Sequence, residues 1–235
     1  MIKSIICSVI FLYSSLGVFA RDMVIQVQIG QSQYDMSDMH LLQQNIVSEY
    51  GSLSIPAEIT SEFPSFYYTR VDIIKKFNPR YAGGFTWTHM EAGGRVHYAD
   101  YSGHIVSDQI VRSNGYGWYN AWTIRDFNSS NFMVNMPVYG LWSSLSLSDE
   151  MKVFDESENT EYELVALGLA LAPSLAFQYK ITRLSLTFEG GYQLSYSKAF
   201  HLKDEEDAIL RVDGNKLGPN WSGLRIGIAV GYQLF

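Results

Sequence analysis

A single glutamate stands in a long uncharged run near the C-terminal end of the chain. The run "LSLTFEGGYQLSYS" (184–197) places Glu189 among small, polar and apolar residues. A carboxylate in such a setting needs a cation, because burying it unpaired is costly. Charged residues also occur in other strand-like stretches, and with Glu189 they form one candidate set: Arg70, Asp72, Lys76, Arg125, Glu189 and Arg225. The chemistry that these residue types offer is ion pairing, above all the bidentate contact between guanidinium and carboxylate.

A second group carries side chains that can transfer protons. It lies within one segment and consists of His89, Glu91, His97, Asp100, Ser102, His104 and Asp108. Hydrolases and acyltransferases use Ser, His and a carboxylate, but spacing alone cannot test a triad. A solvated polar hairpin explains the same residues, so we do not predict an enzyme. The sequence has no Rossmann, Walker, zinc or nucleophile-elbow motif, and we expect neither a cofactor nor a bound metal.

The elements that carry these charges are strands with two unlike faces. Between residues 184 and 197 every even position is apolar or glycine, and Glu189 shares the odd positions with Ser185 and Thr187. This period of two indicates a β-strand. The segment "LVALGLALAPSLAFQYK" (164–180) alternates large and small residues in the same way. A helix is the rival interpretation there, but strict alternation and Pro173 favour a strand. A strand of a soluble sandwich has the same alternation. The alternation therefore does not tell whether the apolar face contacts lipid or a protein core.

The connections between about eight such strands alternate in length. Residues 78–80, 128–131 and 180–183 are short turns, whereas 31–65, about 102–114, 148–163 and 197–221 are long. This alternation is typical of outer-membrane barrels. We therefore predict an all-β fold: an eight-stranded antiparallel transmembrane β-barrel with long extracellular loops and short periplasmic turns. The large apolar face contacts lipid, and the small polar face lines the lumen. Within 132–147, Pro137 and the Ser143–Ser144 pair predict a bulge or a parity slip.

The charged set then belongs to the lumen. We expect it to be a buried ion-pair network that plugs the barrel, since unpaired charges there would be very costly. A gated ion path is the alternative. For Glu189 we predict a pair with at least one of Arg70, Arg125 and Arg225.

Aromatic residues are frequent, with 16 Tyr, 13 Phe and 5 Trp. We expect them to form two belts at the membrane interfaces; the alternative is the core of a soluble sandwich. The belt near the short turns comprises Phe77, Tyr81, Phe177, Tyr179 and Tyr232. The belt near the long loops comprises Tyr67, Trp118, Trp142, Tyr196 and Trp221.

The first twenty residues have the pattern of a secretory signal. Lys3 precedes an apolar run, and small-residue spacing ends at Ala20. We expect cleavage there, which leaves residues 21–235 as the barrel domain; an N-terminal membrane anchor is the alternative. Cys7 is the only cysteine, so the mature chain cannot form a disulfide. The formal net charge of −7 argues against a nucleic-acid partner.

Two of the long connections have features of their own. Residues 37–51 are expected to form a helix that Ser37 or Asp38 caps and Gly51 ends. Its apolar residues, which we expect to pack on the barrel mouth, are Leu41, Leu42, Ile46 and Val47. The acidic stretches 148–163 and 203–207 are interpreted as solvated loops, with cation bridging to lipopolysaccharide as the alternative.

The whole chain resembles the eight-stranded outer-membrane proteins of the OmpA/OmpX type, and most of all the variety found in Bacteroidetes. The resemblance is carried by the signal and by "SEFPSFYY" (61–68), "VHYADYSGHI" (96–105) and the final "VGYQLF". One departure is the parity of Phe235, which matches Gln233 rather than the apolar Leu234. The resemblance implies the outer membrane of a Gram-negative bacterium and the barrel-assembly machinery during insertion. It also implies contact with outer-membrane lipid and lipopolysaccharide.

We expect a monomer that is not an enzyme, with a structural or surface-interaction role through its long loops and an unknown extracellular partner. One alternative is the binding or lateral passage of a small hydrophobic ligand near Pro137 or Pro173. The other is a lipid A-modifying outer-membrane enzyme.

Overall fold

The computed structural model describes residues 22–101, 103–153, 156–203 and 205–234. The expected signal peptide, Cys7, Ser102 and Phe235 lie outside these residues. The single α-helix of the described part, α1, spans Ser37–Ser52. The longer strands are β1 (Met23–Tyr34), β3 (Phe66–Asn78), β4 (Tyr81–Ala99), β5 (Gly103–Phe127), β6 (Ser130–Asn135), β7 (Val138–Val153), β8 (Glu156–Leu171), β9 (Ser174–Ile181), β10 (Leu184–Ser197) and β15 (Gly223–Gln233). The short strands are β2 (Glu58–Ser61), β11 (His201–Leu202), β12 (Glu205–Ile209), β13 (Arg211–Val212) and β14 (Asn215–Lys216).

The longer strands close into a ring in which every pairing is antiparallel. β1 pairs with β3 and with β15, and β15 pairs with β10. β4 lies between β3 and β5. The remaining two walls are each built from two strands in line, β6 with β7 and β8 with β9. The prediction of an eight-stranded antiparallel barrel is confirmed. Closure removes the unpaired edges that an open sheet leaves exposed.

Prolines interrupt the two composite walls side by side. The Ala172 amide donates to the Pro137 carbonyl at 3.0 Å, and the Tyr192 amide donates to the Pro173 carbonyl at 3.1 Å. These bonds bridge the breaks, so the backbone ring stays closed where the ladder itself is absent. The sequence predicted a bulge or a parity slip in this wall. A parity slip is wrong, because Phe132, Val138 and Trp142 are all exposed on the same side. A register shift does occur, but on the facing strand, between Thr123 and Arg125.

The two faces of the wall differ as the alternation predicts. On β15 the outward Leu224, Ile226 and Ile228 are more than half exposed. On β10 the inward Thr187 is fully buried and Glu189 is 9% exposed. A soluble sandwich would bury its large apolar face, so this arrangement excludes that alternative. Among the described residues, no helix is both long and apolar enough to cross a membrane.

The short turns fall where the sequence places them, but two of the long loops are not loops. β5 runs for 25 residues, whereas a membrane crossing needs about 9–11. It pairs with β4 and β7 along its whole upper half, through the segment 103–114. β7 and β8 likewise stay paired through most of 148–163. The two loop predictions are wrong because polar residues continue the ladder beyond the barrel as a water-exposed projecting sheet.

The remaining long connections cover the inner face of this projecting sheet. We call the assembly of α1, residues 53–65, residues 198–222 and the upper parts of β4, β5, β7 and β8 the cap. A cluster of buried apolar residues lies inside it, and its members include Met36, Met39, Leu42, Phe63, Met90, Val111, Leu145, Leu164, Phe200, Leu217 and Trp221. The cap therefore has a hydrophobic core, which continues into the upper barrel through Tyr68, Tyr139 and Ala170.

The helix of the cap begins where the sequence predicts and ends one residue later, but its contacts differ. Met36 is the N-cap and makes no side-chain capping bond. The Asp38 carboxylate instead accepts a hydrogen bond from the Gly218 amide at 2.9 Å. Leu42 is buried as expected, and so are Met39 and Gln43. Gln43 fits against the sheet because Gly94 opposite it has no side chain; a Cβ there would collide with the Gln43 amide.

Candidate functional site

The centre of the lumen is an ion cluster of three residues, Arg70, Asp72 and Glu189. The two terminal nitrogens of Arg70 donate to the two oxygens of Glu189, each at 2.8 Å. Its Nε donates to Oδ2 of Asp72 at 2.9 Å. The guanidinium also lies 5.3 Å from the centre of the Tyr119 ring. Arg70 therefore bridges two carboxylates, and Glu189 has the arginine partner that its parity requires.

Neutral donors complete the coordination of both carboxylates. Asp72 accepts from the Thr86 hydroxyl at 2.6 Å and from the Gln26 amide at 3.3 Å. Glu189 accepts from the Asn135 amide and from the Ser174 hydroxyl, each at 2.9 Å. The donors come from several walls of the barrel. The network therefore joins strands that are far apart in sequence.

Arg225 forms a second layer toward the cap. It donates to the Gln193 side-chain oxygen and stacks 3.8 Å from the centre of the Tyr68 ring. Among the described residues no carboxylate forms a salt bridge with it, and its Nη2 has no hydrogen-bond partner. The buried charged residues of the described chain are Arg70, Asp72, Glu189 and Arg225. The two positive and two negative formal charges of these four residues cancel, so the buried charge of the described lumen is zero only when all four are counted.

Two members of the predicted network do not belong to it. Lys76 has the inward parity but is exposed at the rim near the short turns. Arg125 is also exposed, and its guanidinium lies 5.2 Å from the centre of the Phe127 ring. A register shift between Thr123 and Arg125 separates this end of β5 from the regular ladder. Parity gives the face of a residue but not its height, and both residues lie too close to the turns to reach the cluster.

The lumen cavities are small and separate. One of about 180 Å³ opens near the short turns, beside Gln26, Tyr119 and Lys180. Another of about 10 Å³ lies at the proline break, between Arg70, Ser174 and Arg225. The second holds about one water molecule. The lateral opening at Pro137 or Pro173, which the sequence left as an alternative, is thus bridged by backbone bonds and nearly filled. These two cavities share no lining residue, which counts against the gated ion path.

The aromatic residues expected at the interfaces lie outward with one exception. Eight are exposed: Phe77, Phe177, Tyr179, Tyr232, Tyr67, Trp118, Trp142 and Tyr196. Tyr81 is half-buried and stacks on Phe77. The assignment of Trp221 is wrong, because it is 0% exposed in the cap core and its indole nitrogen donates to the Ser143 hydroxyl at 3.0 Å. Their arrangement in two belts stays a prediction.

The histidines of the β4–β5 hairpin are not brought together. His89 contacts the Asn114 side chain at 3.1 Å, and His104 lies 3.4 Å from Glu150. His97 pairs with Val106 on another rung of the ladder. In the described ranges no three His, Cys, Asp or Glu side chains are grouped so as to hold a metal ion. Ser102 falls outside those ranges.

Sequence reasoning missed the polar layer that joins barrel and cap. The Gln193 amide donates to the Trp221 carbonyl at 2.9 Å, and the Gln28 amide donates to the Tyr68 hydroxyl at 2.8 Å. Higher up, the Gln43 amide donates to Gln109 at 3.0 Å. A usable signal existed, since Gln28, Gln109 and Gln193 stand at inward positions of their strands. The partner of Gln43 lies on a helix, for which strand parity gives no information.

The comparisons with known proteins concern the fold only. No protein-family model and no curated protein matches the chain. Among solved structures, Ail, the attachment invasion locus protein of Yersinia pestis, is 11% identical, with a TM-score of 0.32 over 90% of this chain and 98% of that one. A structure of Ail in complex with the heparin analogue sucrose octasulfate is 12% identical, with a TM-score of 0.34 over the same shares. The translocator domain of the autotransporter NalP from Neisseria meningitidis is 12% identical, with a TM-score of 0.17, over 90% and 88%.

The class of protein therefore rests on the strand pairing and on the two faces of this chain. A closed antiparallel ring with an apolar exterior and a filled polar interior is the architecture of outer-membrane β-barrels.

Proposed function

We propose that this chain is a non-enzymatic outer-membrane protein that makes contacts at the cell surface through its cap. The observation that carries the proposal is the hydrophobic core of the cap, which holds a projecting sheet in a fixed position above a closed lumen. A barrel with a purely structural role in the membrane would not need a folded cap with a projecting sheet. Because side chains fill the lumen, a role at the outer surface is better supported than transport through the barrel.

The orientation is tested by labelling introduced cysteines on intact cells. Tyr101, at the tip of the β4–β5 hairpin, is 98% exposed, and Pro79 lies in a short turn on the opposite side. A membrane-impermeant maleimide should label Y101C on intact cells and P79C only after permeabilisation. The reverse pattern would reject the proposed orientation.

The role of the cap is tested by trimming the projecting sheet. Residues 147–162, the tip of the β7–β8 hairpin, are replaced by an Asn-Gly turn, which suits a two-residue hairpin. The barrel should keep its heat-modifiable gel mobility, while attachment of the cells to surfaces and to one another should fall. Unchanged attachment by a correctly folded trimmed variant would sink the surface role of this hairpin.

A second candidate function is the binding of a hydrophobic ligand on the lipid face. A hollow of about 570 Å³ lies there across β1, β6, β9, β10 and β15, and its walls include Phe132, Phe177, Phe188 and Ile228. It exists because Gly190 has no side chain, and a Cβ there would meet only Ile226, at 3.9 Å. Gly190→Leu should fill the hollow without disturbing the fold. Ligand-dependent thermal stabilisation that is equal in wild type and variant would exclude this site.

A further inference from the structure

A second groove lies where the apolar exterior of the barrel meets the cap. It has a volume of about 780 Å³ and lies between the end of β10, the start of α1 and residues 216–222. Its lower edge carries Leu167 and Tyr196, which are 51% and 75% exposed. Its upper part carries Lys198, Lys216 and His201. Apolar and cationic residues thus line one continuous surface.

The position of Lys198 sets the height of this groove in the membrane. The outward residues of β10 are apolar or glycine from Leu184 to Tyr196, and Lys198 is the next outward position. Its amide donates to the Leu167 carbonyl at 2.8 Å, which continues the ladder by one rung. On β8 the outward apolar residues run from Leu171 to Val165, and the next outward position is Glu163. Lipid headgroups lie at the level where such an apolar band ends.

The groove is cationic although the chain as a whole is acidic. In the described residues neither Lys198 nor Lys216 forms a salt bridge with a carboxylate. The one carboxylate of the groove is Asp38, which is occupied by the Gly218 amide. The formal charge of the lining is therefore +1 with His201 neutral. The full chain carries −7, so this positive charge is a local feature.

Hydroxyl and amide groups complete the lining. Ser195, Ser222 and Asn220 form a small hydrogen-bonded group with Oγ–Oγ and Oγ–Oδ1 distances of 3.3 and 3.4 Å. The Ser197 hydroxyl is buried and has no hydrogen-bond partner among the described residues. Lysine side chains can pair with an anionic group, and hydroxyl groups can form hydrogen bonds with a sugar. The lining therefore suits an anionic group that is attached to a sugar.

We propose that this groove binds the phosphorylated sugar headgroup of an outer-leaflet glycolipid. The phosphate lies against Lys198 and Lys216, and the acyl chains extend down over Tyr196 and Leu167. The proposal rests on the outer-membrane location proposed above. It does not depend on the surface role of the cap, because residues 147–162 contribute nothing to the groove.

The test measures binding of fluorescent bis-phosphorylated lipid A to the full chain in detergent micelles. Each lysine near an anionic lipid contributes about fivefold in affinity. K198Q/K216Q should therefore bind roughly 10- to 30-fold more weakly than wild type, and K198R/K216R should retain binding. The matched control is K152Q/K203Q, which removes the same charge from exposed cap lysines outside the groove. Heat-modifiable mobility verifies the fold of every variant.

Two further arms separate the sources of phosphate. Dephosphorylated lipid A should bind wild type as weakly as lipid A binds K198Q/K216Q, and Tyr196→Asn should weaken lipid A binding through the lost apolar contact. Displacement of lipid A by low millimolar inorganic phosphate would show an ion site rather than a glycolipid site. Equal loss in the control variant, or equal binding of the dephosphorylated lipid, would also overturn the proposal.

Discussion

The lumen and the cap are built on the same inward positions of the same strands, yet their interiors are opposite. On β4 the inward Thr86 and Thr88 face the polar lumen, and the inward Met90 and Ala92 belong to the apolar cap core. The difference follows from what lies outside each region. Around the barrel the outside is apolar, so large side chains lose nothing by facing it and polar ones must turn inward. Around the cap the outside is water, and apolar residues gain by burial.

The stability of the two regions should therefore depend on different forces. The lumen is held by directional bonds among few charged groups, where the loss of one partner leaves another unpaired. The cap is held by contact area, where a loss is graded with the volume removed. The following experiments test this difference, from the largest expected effect to the smallest.

Arg70→Met should be the most damaging single change, because it leaves Asp72 and Glu189 without their cation. We expect a loss of about 3–5 kcal/mol in the free energy of unfolding, measured by urea titration in lipid vesicles. Glu189→Gln should cost less, since Arg70 keeps Asp72. The triple variant R70M/D72N/E189Q should be more stable than R70M alone. A barrel in which R70M unfolds like wild type would contradict the account of the lumen.

Met39→Ala should loosen the cap and leave the barrel intact. Met39 is 0% exposed, and truncation of a buried methionine costs about 2–5 kcal/mol. Hydrogen exchange should accelerate for the amides of α1 but not for those of β15. Leu53, which is 69% exposed, offers the matched control Leu53→Ala. Equal acceleration in the barrel strands would mean that cap and barrel unfold as one unit.

Charges on the outward face should carry a penalty that lumen positions lack. Leu186→Arg and Val230→Arg place a charge on the lipid face, where the cost is about 2–4 kcal/mol at the midplane and falls toward the interfaces. Ser185→Arg points to the interior near the short turns and should not show a penalty that changes with bilayer thickness. Folding in vesicles of two thicknesses provides the measurement. The same thickness dependence for all three variants would indicate that the faces are misassigned.

The exposed ion pairs of the projecting sheet should matter least. The Arg95 guanidinium contacts Asp108 at 2.8 Å in a bidentate pair, and their side chains are 54% and 30% exposed. The hydrogen bond and the charge of Asp108 raise the pKa of Arg95. Water screens such a pair, so Arg95→Gln should change the stability of the cap by less than about 1 kcal/mol. A larger loss that persists in high salt would mean that the cap also depends on charge pairing.

Taken alone, the sequence determined the strands, their two faces and the short turns. These are local properties: a period of two places each side chain on a face, and turn residues mark where the chain reverses. They also placed Glu189 inside the barrel and required a cation beside it. The same parity put Lys76 and Arg125 in the predicted lumen network, because parity contains no information about height.

Only the tertiary structure decided which residues meet and where the barrel ends. Arg70 reaches Glu189 from a strand 119 positions away in sequence, through the register of every pairing between them. The continuation of β5, β7 and β8 above the rim follows from their pairing with one another. Trp221 is buried against Tyr34 and donates to the Ser143 hydroxyl. The helix α1 docks on β5 through the hydrogen bond from Gln43 to Gln109. Pairing register and the docking of a helix are relations between distant segments, and alternation within one segment does not encode them.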